Sequence, residues 1–108
     1  MTLLLSNEDV EAALSMPDSL EAMEIPYRDL GSMQGGNGIR SEILTPTVHK
    51  DALYSLLTMS GVVPRFGIGA VRINSDILTW PASPAGPRRV KVPAAPNGRY
   101  AGLVLLFS

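Results

Sequence analysis

The chain changes character once, at the glycine-rich stretch of residues 31–38, and that switch constrains its fold more than any other feature. Before it, apolar residues recur at helical spacing. After it come runs of aliphatic and β-branched residues punctuated by turns. Gly31, Gly35, Gly36 and Gly38 mark the stretch as a connection rather than an element. Helices followed by strands predict an α+β domain, with amino-terminal helices packed on a mainly antiparallel sheet.

In residues 1–38, Leu3-Leu4-Leu5 reads as a short opening strand. Ser6 and Asp9 have the spacing of a capping box, with the shorter carboxylate at its last position. Val10, Ala13 and Leu14 supply an apolar stripe behind it. A second helix starts at Met16-Pro17, where a first-turn proline is tolerated. Leu20, Met23, Tyr27 and Leu30 form its expected buried face. Pro26 removes an interior hydrogen bond at a cost of roughly 3 kcal/mol, which predicts a kink or an early stop.

Residues 39–108 are β-rich. A strand over residues 39–48, broken at Pro46, is followed by a turn at His49-Lys50-Asp51 and a second strand over 52–59, a hairpin pattern. Residues 67–74 and 99–107 are the strongest remaining strands. Between them a proline-rich surface excursion spans residues 81–98, where the prolines exclude a helix. The final run, Gly102-Leu103-Val104-Leu105-Leu106-Phe107-Ser108, stops within a core-like strand, so the 108 residues read as a single partial domain from a longer protein.

Several function classes lose support from composition. A net charge of −1 gives no electrostatic argument for nucleic acid or an anionic membrane. Without cysteine there is no thiolate nucleophile and no Cys-based zinc site, and the single histidine, His49, forms no His cluster; no metal site is expected. The apolar run at residues 103–107 is far shorter than the ~20 residues of a bilayer span, and a cytoplasmic protein is the default expectation. Gly67-Ile68-Gly69 lacks the third glycine and following helix of a dinucleotide fingerprint, so no cofactor-binding residue is expected in this chain.

Arg40 and Arg72 are the chemically informative residues. Each lies in a run that reads as a strand, and a guanidinium among aliphatic neighbours must find an anion or water. On neighbouring strands the two would make a cationic pocket for a carboxylate, which Arg grips through two parallel hydrogen bonds. The alternative is a structural pairing with Glu42 or Asp76. Arg88, Arg89 and Lys91 read as a solvated loop, Asn74-Ser75-Asp76 as a strand end with local turn bonds, and His49 as a turn residue. Trp80 and Met59 read as packing.

In order and spacing, a set of short motifs resembles the amino-terminal portion of the ornithine cyclodeaminase/mu-crystallin family. They are Leu3-Leu4-Leu5-Ser6-Asn7-Glu8-Asp9-Val10, Met16-Pro17-Asp18-Ser19-Leu20-Glu21-Ala22, Tyr27-Arg28-Asp29-Leu30, Arg40-Ser41, the run at residues 54–59, Gly69-Ala70-Val71-Arg72-Ile73 and Gly102-Leu103-Val104-Leu105-Leu106-Phe107. The resemblance implies an NAD(P)-dependent enzyme acting on an amino, imino or oxo acid. It also implies a substrate-binding and dimerisation domain joined to a Rossmann domain, with a homodimer formed through the sheet.

By that resemblance Arg40 matches the arginine that binds the substrate carboxylate, Arg72 replaces a lysine near the reacting carbon, and Met59 lines the same pocket. Arginine at position 72 cannot shuttle protons near neutral pH, because a guanidinium stays charged there. Residues 82–91 have no family counterpart. The family's catalytic aspartate, third anion-binding arginine and nucleotide loop would follow Ser108, so no catalytic residue is expected here. The chain lacks the Rossmann domain and would be inactive alone, with NAD or NADP bound in the parent. The competing expectation is a self-contained, non-catalytic binding or oligomerisation module.

Overall fold

Two capping boxes start the two helices of the chain, which is described here over residues 2–108 of a computed structural model. The Ser6 side chain accepts from the Asp9 N–H at 3.1 Å, and the Asp9 carboxylate accepts the Ser6 N–H at 2.8 Å, opening α1 (Asn7–Ala13). Ser15 and Asp18 repeat the exchange at 3.3 and 3.2 Å to open α2 (Met16–Gly31). Each box pairs two orphan backbone donors with side-chain oxygens. The same contacts hold both aspartates below the usual carboxylate range, through the Ser6 backbone and then its hydroxyl for Asp9, and through the Ser15 hydroxyl and then its backbone for Asp18.

These helices belong to the first of two compact units, which ends at Gly35. Two expectations are corrected there, and one alternative of a third, the early stop at Pro26, is removed. Leu3-Leu4-Leu5 joins no strand, and all three side chains are exposed; a strand needs a partner ladder, and none pairs with it. Pro26 does not end α2, which runs on to Gly31. The proline forfeits the bond to the Ala22 carbonyl, while the Glu24–Arg28 ion pair spans it on the helix surface. The expected buried face of Leu20, Met23, Tyr27 and Leu30 stays exposed.

The second unit begins at Gly36 and is a six-stranded antiparallel sheet. Its strands are β1 (Gly36–Asn37), β2 (Ser41–Pro46), β3 (Ala52–Val63), β4 (Ile68–Thr79), β5 (Val90–Pro93) and β6 (Ala101–Phe107). The two twelve-residue strands β3 and β4 form its centre. β1 and β2 share the outer edge of β3, and β5 and β6 share that of β4. The expected β2–β3 hairpin is present. A 3-10 turn (Pro64–Phe66) and Gly67, at φ 62°, join β3 to β4. With α1 and α2, the architecture is α+β.

Strand boundaries differ from expectation in informative places. Arg40 precedes β2 instead of lying inside it, and β2 ends at Pro46, which has no N–H for the ladder. β4 continues through Asn74, Ser75 and Asp76 to Thr79, because β3 offers it twelve consecutive partners. Part of the proline-rich excursion is itself a strand: Val90–Pro93 pairs with residues 76–79 of β4, the stretch of that edge beyond β6. Leu57, Leu78, Ser55 and Asp76 are buried on one face of the sheet, and Ala52 on the other.

Candidate functional site

Directly paired residues on neighbouring strands project to the same face, so the ladder register identifies what shares a surface. Met59 pairs with Arg72, and Arg72 pairs with Val104. Ser41 pairs with Thr58, which brings Arg40, one residue earlier, to the level of Met59. On the same face Glu42 pairs with Leu57, and Leu57 with Asn74. Arg40 Nη2 lies 3.9 Å from Glu42 Oε2, so its guanidinium stands over that face too. Arg40, Met59 and Arg72 are therefore brought together as a row across three chain segments.

The two acids on this face are taken by other cations. Glu42 Oε1 accepts the Ser55 hydroxyl at 2.8 Å and Arg89 Nη2 at 2.7 Å. Ser55 is fully buried, and its hydroxyl is the main cause that holds the Glu42 carboxyl below its usual range; burial pushes the other way, and the charges of Arg89 and Arg40 add to the lowering. Lys91 Nζ donates to Asp76 Oδ2 at 2.8 Å, and Asp76 is only 3% exposed. The basic segment expected to be a solvated loop thus supplies two ion-pair partners. Asp76 is a buried mid-strand residue paired with a half-exposed lysine, not a strand end with local turn bonds.

Arg72 has a different environment. It is exposed, and its Nε donates to Asn74 Oδ1 at 3.1 Å. Among the described residues no carboxylate lies within ion-pair reach of it. With Nε held by a neutral amide, the two terminal nitrogens remain as a planar fork able to face a carboxylate. Arg40, at the outer limit of ion-pair distance and with its side chain 53% exposed, shares an acid already closed by Arg89. Met59 lies half-buried between them in mid-strand, rather than ending one.

Two recesses occur elsewhere on the sheet. One, of about 420 Å³, lies over Gly36, Gly38, Gly61 and Gly69, where missing side chains leave a hollow between strands. The other, of about 870 Å³, is bounded by His49, Ala52, Ile77, Trp80 and Val92. Neither includes Arg40, Met59 or Arg72; both arginines are exposed and Met59 is half-buried. His49 closes the β2–β3 turn, its N–H donating to Thr47 Oγ1 at 3.1 Å. Trp80, expected in packing, is 41% exposed at a cleft wall.

Sequence reasoning missed Ser55, Glu42 and Arg89 as one connected group. The available signal was Ser55 itself, a hydroxyl inside an otherwise apolar strand. Among the described residues no group of three or more His, Asp or Glu side chains is placed to hold a metal ion, and no helix is long and apolar enough to cross a membrane. Gly67 precedes strand β4 and Gly69 lies within it, where a phosphate cradle needs a helix N-terminus. No protein-family profile, curated protein or solved structure matches the chain.

Proposed function

We propose that the Arg40–Met59–Arg72 face receives a small amino or oxo acid, the two guanidinium groups gripping its carboxylate from either side of Met59. The observation that carries this reading is the unmatched charge: Arg72 bonds only a neutral amide, and Arg40 stands 3.9 Å from an acid that Arg89 already neutralises. A carboxylate arriving there exchanges water for charge-assisted hydrogen bonds without breaking a short internal pair. The motif order of the sequence supports a wider context, a substrate-binding and dimerisation portion of an ornithine cyclodeaminase-like enzyme. In that context NAD or NADP would be held by residues outside this chain, and no chemical step belongs to the residues here.

Titrating pyruvate and L-alanine into the protein, followed by amide chemical shifts, tests the reading. Binding should perturb residues 40, 59 and 72. Arg72→Ala should weaken it about ten- to a hundredfold, since a hydrogen bond to a charged group contributes about 1.5–3 kcal/mol. Affinity unchanged by both Arg72→Ala and Arg40→Ala would refute it.

One observation favours a second reading, a non-catalytic oligomerisation module. On the opposite face Leu103, Leu105 and Phe107 of β6 are 48, 40 and 60% exposed, an apolar row on a strand. Sedimentation equilibrium decides it: a monomer at every concentration removes the module reading.

A further inference from the structure

The charges on this face do not balance, and the imbalance says more about the ligand than the presence of a clamp does. Four cations, Arg40, Arg72, Arg89 and Lys91, meet two acids, Glu42 and Asp76. Arg89 and Lys91 close on those acids at 2.7 and 2.8 Å, so four of the six charges cancel. Two positive charges are left, on Arg40 and Arg72, one on each side of Met59. A monocarboxylate would neutralise only one of them.

The spacing of the pair is equally telling. Arg40 and Arg72 leave the backbone on opposite sides of β3, about 10 Å apart by two inter-strand steps of ~4.8 Å. Each can hold its own carboxylate through a bidentate pair at ~2.8 Å, with a short carbon chain bridging the gap. Met59, half-buried in mid-strand between them, provides an apolar floor for methylene groups between two charged ends. The Asn74 bond holds Arg72 Nε at one end of that floor.

Resting on the carboxylate reading above, but with two carboxylates in place of one shared between the arginines, we propose that the ligand is a dicarboxylate, a four- or five-carbon oxo or amino diacid. One carboxylate sits on Arg72 and the other on Arg40. Glu42 keeps the Arg40 end from attracting a single compact anion strongly, since its own charge lies beside that guanidinium. The diacid takes both surplus charges at once.

Calorimetric titration at fixed ionic strength tests this with succinate and 2-oxoglutarate against butyrate and pyruvate, and with inorganic phosphate as a compact dianion. The diacids should bind at least about tenfold tighter than the monoacids, and Arg40→Ala and Arg72→Ala should each reduce diacid affinity to the monoacid level. Far-UV circular dichroism of both variants verifies that they are folded, and Arg40→Lys and Arg72→Lys serve where an alanine variant is not. Equal affinity for mono- and diacids, still dependent on Arg72, overturns the diacid proposal and leaves the carboxylate reading standing. Phosphate binding as tightly as succinate overturns the two-point arrangement. Binding of neither acid class overturns both readings.

Discussion

The Lys91 ammonium lies 2.8 Å from the Asp76 carboxylate, and through this contact the short strand β5 is fastened by charge as well as by its ladder to β4. The two ends differ in exposure: the Asp76 side chain is 5% exposed and that of Lys91 39%. Removing the cation therefore leaves a carboxylate with little water. Removing both charges does not.

Lys91→Ala should destabilise the fold by about 1–3 kcal/mol, the cost of a buried acceptor stripped of its charged partner. The double variant Lys91→Met with Asp76→Asn should recover more than half of that loss, because no uncompensated charge remains. Urea unfolding of the two variants checks this. If the double variant loses as much as the single one, the pair is not what holds β5 in place.

Glu42 ties stability to pH. Its folded pKa is depressed, chiefly by the Ser55 hydroxyl and then by Arg89 and Arg40. Its contribution is therefore complete above the ordinary glutamate value of about 4.3, and is lost as pH falls through the lower folded value. Ser55→Ala removes the largest cause of the depression, so the Glu42 midpoint should rise. Carboxyl-carbon shifts of Glu42 across an acid titration read both midpoints, and identical values would remove Ser55 from the account.

Gly67 makes the β3–β4 turn at φ 62°, with open space where a Cβ would stand. Any cost of substitution there is backbone strain alone. Gly67→Ala should lose about 1–2 kcal/mol, and Gly67→Asn distinctly less, because asparagine tolerates the left-handed region. Thermal unfolding of the pair provides the comparison, and equal losses would point to a lost contact instead.

Features governed by near neighbours were legible in the residues. Both helix starts depend on side chains three positions apart, and Ser6/Asp9 and Ser15/Asp18 make the bonds that spacing allows. The β2–β3 hairpin follows from two apolar runs around a polar turn. Local reasoning was misled where a wider environment prevailed. Pro26 stays helical within sixteen residues that carry the helix past it, and Leu3-Leu4-Leu5 forms no strand because its backbone finds no ladder.

The candidate site was half legible. Arg40 and Arg72 stood out by residue type, while Met59 read as packing and joined them only through the family resemblance. Which cation meets which acid was not readable, because Arg89 and Glu42 are 47 residues apart and Lys91 and Asp76 fifteen. Helix caps, turns and strand-forming runs are decided over a few residues by backbone sterics and local hydrogen bonding, so the chain order contains them. The pairing of charges is decided by register: only when β2, β4 and β5 align does it emerge that two acids are already matched and two arginines are not.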